Sequence, residues 1–430
     1  MKYYLFIIGC QMNYSDAERL ESVLNEMGYK KTYAEKEADI ILAVACSVRQ
    51  KAVDRIYGLA NHWLKEKKKR RLITVLTGCV LPYDKNKMKK YFDLILDIKD
   101  LSKLPKFLAK YSFNNFNIFN SSAEEKYLRL TPKYTSNYTA YVPIMTGCDN
   151  FCRYCAVPFT RGREYSRPQK EIVEEVKKLI NKNYKEIVLL GQNVNSYGHK
   201  KGRVYIDNKP FILLLKAINA VPGKFWLRFI SNHPKDMTGD LIKIIPKLKK
   251  ITPYIHLPLQ AGDDIILKKM NRPYTTKQYL KIVGLIRKNV PGIAISTDII
   301  VGFPGETKKQ FKNTLKVAKE AGYDMAYLAQ YSPRPGTAAA KLKDDIQKEE
   351  KKKREFNLNE VIKKTAFINN KKLLYTFQEI LVDGQKNGYY YGRTKTNKVV
   401  KFESRKNIIG QFTKVKITKA EPWKLTAEIK

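Results

Sequence analysis

Gly147-Cys148-Asp149-Asn150-Phe151-Cys152-Arg153-Tyr154-Cys155 is the stretch from which the rest of the chain can be read. It follows closely on an apolar, strand-like run at 140–145, so three thiols leave the end of a strand together. At CxxxCxxC spacing, three thiolates can each hold one iron of a [4Fe–4S] cube, leaving the fourth iron open to a small-molecule chelator. A structural zinc site is the alternative, and zinc normally takes four closing ligands. No fourth cysteine lies in this segment, and His62, His199, His233 and His256 are all distant in sequence. The spacing therefore favours the open cube.

Downstream of this loop, apolar runs recur at 186–190, 225–230, 254–258, 294–301 and 325–331. Helical patterns at 169–181, 277–289 and 308–321 separate them. Six such βα units predict a partial or complete parallel barrel. Polar residues follow the strands: Gln192 with Asn193, residues 231–233, Gln260, and Ser332 with Arg334, while Asp298 lies inside its own strand run. The C-terminal ends of barrel strands are where such folds build their sites.

Upstream, apolar runs at 3–8, 40–44, 72–76 and 94–98 alternate with helical patterns at 15–27 and 50–64. Ser15 reads as an N-cap, with Glu18 three residues on. The alternation predicts a doubly wound parallel sheet. Cys10, Cys46 and Cys79 each come just after a strand, and in such a sheet the strand ends share one edge. Three thiols can converge there; the other reading is three small buried core residues. A polar stretch at 114–136 reads as a linker. Residues 348–372 form a Lys-rich helix or linker. From 373 onward, short alternating strands with turns at Asp383-Gly384, Asn387-Gly388 and Gly410 predict a small all-β barrel.

Over 430 residues, 82 Lys and Arg face 41 Asp and Glu, a formal net charge of +41. Such an excess attracts polyanions, RNA or DNA first. A composition rich in Lys, Asn, Ile and Tyr contributes to the same excess, so basicity supports RNA binding without establishing it. No apolar run approaches the roughly 20 residues of a membrane span, and the opening run is too short for a secretion signal. No membrane partner and a cytoplasmic location are expected, where six cysteines serve metal or redox chemistry rather than disulfides.

The loop from Thr146 to Pro168 (TGCDNFCRYCAVPFTRGREYSRP) resembles the cluster loop of the methylthiotransferases, a branch of the radical S-adenosylmethionine superfamily. LLGQNVNSYG at 189–198, HLPLQAG at 256–262, TDIIVGFPGET at 297–307 and YSPRPGTAA at 331–339 agree in order, and the tail resembles a TRAM domain. Val44 and Ala45 stand where the family often has Asn-Thr before its second cysteine.

The resemblance implies an α/β chain in three parts. These are an N-terminal doubly wound parallel α/β domain at 1–118, a central partial (β/α)6 radical SAM barrel at 136–364, and a small C-terminal all-β TRAM barrel at 367–430. It implies two [4Fe–4S] clusters. Cys148, Cys152 and Cys155 hold the one that S-adenosylmethionine chelates, and Cys10, Cys46 and Cys79 hold an auxiliary cluster where sulfur is handled. Gln192, Asn193, Arg228, Gln260 and Asp298 are implied to lie near S-adenosylmethionine, with Gly302, Pro304 and Gly305 shaping a turn toward it. Arg334 reads equally as a substrate or a structural residue.

GCQMNYSDAER at 9–19, CSVRQKAVDRIYG at 46–58 and GRTKTNKVVKF at 392–402 resemble the branch acting on isopentenylated adenosine beside the tRNA anticodon, at position 37. The rivals are the branches for threonylcarbamoyl-adenosine and for a ribosomal-protein aspartate. A reading of another class is a non-catalytic iron–sulfur protein that binds RNA or senses oxidation. Implied partners are tRNA, a flavodoxin- or ferredoxin-type electron donor and a sulfur source, with the chain a monomer. Tyr389, Tyr390 and Tyr391, with Arg393, Lys395, Lys398 and Lys401, are divided between barrel core and RNA contact. The runs 67–71 and 351–354 read as solvated helix faces that can also contact RNA.

Overall fold

The computed structural model describes residues 1–48, 50–111, 127–198 and 209–429. Most of the expected linker, 114–126, and His199 lie outside the described residues. The chain forms two compact units. One comprises Met1–Thr135, Met145–Tyr165 and Arg334–Ala340; the other comprises Ser136–Ile144, Ser166–Pro333 and Lys341–Lys430.

In the first unit, strands β1 (Lys2–Ile7), β2 (Lys30–Lys31), β3 (Ile40–Cys46), β4 (Ile73–Cys79) and β5 (Leu94–Ile95) form a parallel sheet in the order β2-β1-β3-β4-β5. The seven-residue strands IILAVAC and ITVLTGC are buried throughout, as continuous apolar runs are in a sheet covered on both faces. Helices α1 (Gln11–Glu26) and α2 (Gln50–Glu66) both pack on β3. Trp63 of α2 is fully buried and meets Phe6 and Phe92 edge-on, with ring centroids 6.3 and 5.9 Å away. Such T-shaped contacts suit the aromatic quadrupole.

Helix α1 starts four residues before the expected Ser15. Cys10 takes the N-cap position, its carbonyl accepting from Asn13 and Tyr14, while Asn13 Oδ1 accepts from the Cys10 N–H at 3.4 Å. Ser15 is instead a buried partner of Arg19, whose Nη1 donates to its hydroxyl at 2.7 Å. Glu18 caps nothing and accepts the Thr135 N–H at 2.9 Å. The end of the expected linker is also packed, with Tyr127 and Leu128 buried in this unit.

The short strands β7 (Met145–Thr146) and β8 (Tyr165–Ser166) pair with each other, and the second unit holds two parallel three-stranded sheets. One is β6 (Thr139–Pro143), β9 (Glu186–Leu190) and β10 (Trp226–Phe229), in the order β10-β9-β6. The other is β11 (Tyr254–His256), β12 (Ala294–Val301) and β13 (Met325–Gln330). An isolated parallel bridge joins Leu227 of β10 to Ile251, three residues before β11. The result is the expected partial barrel of six parallel strands. Two crossover helices are closed by capping boxes, Thr275 with Gln278 and Thr307 with Gln310, each satisfying N–H groups that a helix start leaves open.

Helix Lys348–Lys371 corrects the expectation of a solvated 351–354 face. Lys352 and Lys353 are exposed, but Lys351 and Arg354 are buried. Lys351 pairs with Asp344 at 2.6 Å and Arg354 with Glu306 at 2.7 Å. After it, β14 (Phe377–Lys386), β15 (Tyr389–Thr394), β16 (Val399–Phe402), β17 (Phe412–Ala420) and β18 (Leu425–Ile429) close into a barrel in the order β14-β15-β16-β18-β17. Ile380, Val382, Val400, Phe402, Val415, Ile417 and Leu425 fill it. Tyr390 belongs to that core, stacked on Phe402, whereas Lys401 lies 3.3 Å above the Tyr389 ring.

This barrel docks within the second unit, against the strand starts. Phe412 meets Trp226 at 4.9 Å, Lys398 pairs with Asp324 at 2.5 Å, and Tyr138 donates to the Asp383 carbonyl at 2.8 Å. Lys398 is thereby a docking residue rather than a free cation. Among the described residues, no helix is long and apolar enough to cross a membrane.

Candidate iron–sulfur and cofactor site

Strand order brings the first three cysteines together. Cys46 and Cys79 end neighbouring strands and are partners in register, while Cys10 follows β1 on the other side of β3. In a 2-1-3-4-5 sheet, the crevice beyond the ends of β1 and β3 is the topological switch point, where such folds bind ligands. Gly78 has φ +103°, and a Cβ there would collide with the Ala45 carbonyl oxygen, so close approach of β3 and β4 at the cysteines requires glycine.

All six cysteines are free thiols. Arg161 Nε donates to Cys79 Sγ at 2.9 Å, and Asn13 Nδ2 donates to the Ala45 carbonyl at 3.1 Å and lies 3.9 Å from Cys79 Sγ. The Cys79 thiol is raised above its ordinary value by its hydrogen bond with Cys46 and then by burial. Such sulfurs become thiolates when a bound cation compensates the charge, which is what iron supplies. Among the described residues, no three His, Cys, Asp or Glu side chains close on a single metal ion. In a [4Fe–4S] cube each thiolate meets a different iron, so its ligands stand apart.

The second trio lies in the same compact unit. Gly147 has φ +77°, and a Cβ would strike the Arg163 carbonyl oxygen, so the loop can fold back here only with glycine. The Cys148 N–H donates to the Gly162 carbonyl at 3.3 Å, and the Cys155 N–H to the Cys152 carbonyl at 2.9 Å. Donors also face sulfur: Asn150 Nδ2 to Cys148 Sγ at 3.4 Å, and the Val157 N–H to Cys155 Sγ at 3.5 Å. Hydrogen bonds of this kind favour thiolate. Burial nevertheless pushes the Cys148 thiol up to about 11, so this trio too fits a cationic cluster.

In the second unit a group of buried polar atoms follows β9 and β10. Asn193 Nδ2 donates to Asp236 at 2.8 Å, the Asn195 side chain pairs with both backbone groups of His233, and Asn232 Nδ2 donates to the His256 carbonyl at 3.0 Å. Four atoms there have no partner: Gln192 Oε1, Asn193 Oδ1, Asn232 Oδ1 and His233 Nε2. Buried polar atoms without partners call for a ligand or water. Three are acceptors, suited to the amino and hydroxyl donors of S-adenosylmethionine. His233 is held neutral by burial and the neighbouring Arg272 and Lys235. Its Nδ1 accepts from the Lys235 N–H at 3.2 Å, which leaves the proton on Nε2 as a donor. Asn232 and His233 were not singled out as cofactor contacts from sequence; their signal was the polar run 231–233 directly after a strand.

Gln260 contributes through its backbone. With φ +72°, it donates from N to the Asp298 carbonyl at 2.8 Å and accepts from the Ile300 N–H at 2.9 Å. Asp298 faces His256 Nε2 at 3.2 Å, and His256 Nδ1 lies 2.9 Å from Ser296 Oγ. Arg228 does not join this group. Its Nε pairs with Glu186 at 2.5 Å, and Nη1 and Nη2 donate to the carbonyls of Lys395 and Thr394 at 2.8 and 2.9 Å. Its guanidinium thus serves the docking of the C-terminal barrel. Arg334, in the first unit, donates to Gln50 Oε1 at 2.6 Å.

Residues 142–318 match the radical SAM superfamily, 2–97 an uncharacterized protein family, UPF0004, and 373–430 the TRAM domain. The chain is 42% identical over 439 residues to the tRNA-2-methylthio-N(6)-dimethylallyladenosine synthase of Clostridium botulinum, covering 99% of this chain and 96% of that protein. It is 38% identical to the protein of the same name from Fusobacterium nucleatum, covering 98% of each. Among solved structures it resembles the radical S-adenosylmethionine methyltransferase TsrM from Kitasatospora setae. The TM-score is 0.56 at 13% identity, over 79% of this chain and 75% of that one, a likeness of fold alone. With identity near 40% over almost its full length, the chain belongs to the tRNA-2-methylthio-N(6)-dimethylallyladenosine synthase family.

Proposed function

We infer that this chain is a radical S-adenosylmethionine methylthiotransferase that converts N(6)-isopentenyladenosine at position 37 of tRNA to its 2-methylthio derivative. Family membership supports the reaction, and the observation on this chain that carries it is the gathering of two cysteine trios in one compact unit. When bound, two [4Fe–4S] clusters and S-adenosylmethionine supply the electron, the radical, the sulfur site and the methyl group.

We propose Cys148, Cys152 and Cys155 as ligands of the cluster that S-adenosylmethionine chelates, and Cys10, Cys46 and Cys79 as ligands of the auxiliary cluster. Gln192, Asn193, Asn232 and His233 would orient S-adenosylmethionine with their unpaired atoms. Gln260 and Asp298 would shape the neighbouring strand end. The division into 1–118, 136–364 and 367–430 is likewise a proposal, with each matched family region falling inside one part. A flavodoxin- or ferredoxin-type donor, a separate sulfur source, a cytoplasmic location and a monomeric state complete the reading.

The tRNA would meet a chain of net charge +41. Exposed Tyr375 and Phe377 of the C-terminal part, the latter with Lys414 at 5.1 Å from its ring, offer stacking faces beside cations. Anaerobic reconstitution tests the cysteine assignment. Reduced wild-type protein should cleave S-adenosylmethionine to deoxyadenosine. The Cys148→Ala variant should not, while retaining the auxiliary cluster. Cleavage by Cys148→Ala at the wild-type rate would refute the assignment.

A further inference from the structure

Arg161 is 2% exposed and six residues beyond Cys155, yet it reaches the first cysteine trio within the same unit. Nε donates to Cys79 Sγ at 2.9 Å, Nη2 to Asp16 Oδ2 at 2.5 Å, and Nη1 lies 3.5 Å from Asp16 Oδ1 and 3.3 Å from the Tyr127 hydroxyl. Asp16 is itself buried on α1, and Tyr127 OH donates onward to Thr146 Oγ1 at 3.3 Å. A guanidinium stays protonated in a protein and holds its donors in a rigid plane. The carboxylate takes one edge of that plane and thereby aims Nε at sulfur.

A purely structural ion pair has no need of the sulfur contact, and a buried pair is weak evidence for a stabilising role. Hydrogen bonds to the sulfurs are among the features that set the potential of an iron–sulfur cluster. We propose that Arg161 is a positioning residue for the auxiliary cluster: fixed by Asp16, it holds the Cys79 sulfur and raises the cluster's reduction potential by stabilising the more negative, reduced state. Because Arg161 follows the CxxxCxxC loop by a single short helix, Val157–Arg161, it also ties that loop to Cys79. The inference rests on the two-cluster reading above.

The test uses the full chain with Cys148, Cys152 and Cys155 replaced by Ala, so that any cluster signal comes from the first trio. Iron and sulfide content, and an EPR-monitored redox titration, are compared with Arg161 intact, in Arg161→Gln and in Arg161→Lys. The intact chain should load one cluster. Arg161→Gln should load it with the midpoint shifted to more negative potential, and Arg161→Lys should recover part of the shift. An unchanged midpoint with lowered thermal stability would reduce Arg161 to a structural residue and overturn the inference. Failure of the intact chain to load any cluster would instead refute the auxiliary-cluster reading. Where Arg161→Gln does not load, the same triple-alanine chain with Arg161 intact, carrying guanidino-15N arginine, decides. A nitrogen hyperfine coupling to the reduced cluster is expected, and its absence overturns the inference.

Discussion

At the scale of single residues, burial sets what the side chains can do. Glu18 is 4% exposed, accepts the Thr135 N–H through one oxygen and has no partner for Oε2, so burial raises its pKa from 4.5 to about 7. A folded-state pKa above the unfolded one means that the folded chain holds the proton more tightly. The associated stability is complete below pH 4.5 and is lost as pH rises through about 7. Glu18→Gln removes the ionisation and should stabilise the metal-free chain by about 1–3 kcal/mol above pH 7, shrinking to nothing toward pH 4.5. Denaturant unfolding across that range reads the difference; a gain independent of pH would contradict it. Gln192, with its buried unpaired carbonyl oxygen, belongs to the cofactor side. Gln192→Ala should raise the KM for S-adenosylmethionine roughly 5- to 10-fold, the worth of about one hydrogen bond, and leave iron content unchanged.

At the scale of elements, the C-terminal barrel is held by few but well-formed contacts, with Arg228 central among them. Arg228→Ala would leave the Glu186 carboxylate buried without its partner and two carbonyls without donors. The expected loss is about 3–5 kcal/mol, read as faster proteolysis near residue 372 with the cluster spectrum preserved. Proteolysis at the wild-type rate would count against that role. The same residue marks where sequence stops being legible. Strand periodicity and the CxxxCxxC spacing could be read directly because they depend on near neighbours in the chain. Arg228 could not, since its partners are 42 and 166 residues away. The start of α1 was misplaced for a related reason: Ser15 has the chemistry of a cap, but the turn out of β1 brings Cys10 and Asn13 into that role. Lys351 and Arg354 resemble a solvated run until Asp344 and Glu306 arrive from elsewhere to bury them. The candidate cofactor atoms of Asn232 and His233 were visible only as a polar cluster, because lacking a partner is a property of the folded chain.

At the scale of the whole molecule, family membership joins three separately matched regions into one function. A sheet with thiols at its switch point, a six-stranded partial barrel with unpaired polar atoms at its strand ends, and a small basic β-barrel are each reused widely, and fold alone does not name a reaction. Their combination in one strongly basic chain fits chemistry on an RNA nucleoside. The most direct measurement is mass spectrometry of digested nucleosides after anaerobic reaction of the reconstituted protein with reductant, S-adenosylmethionine, a sulfide source and either isopentenylated or threonylcarbamoylated tRNA. A methylthio mass gain on isopentenyladenosine alone is the predicted result. A gain on threonylcarbamoyl-adenosine instead, or deoxyadenosine formed with no modified nucleoside, would contradict the substrate assigned to this chain.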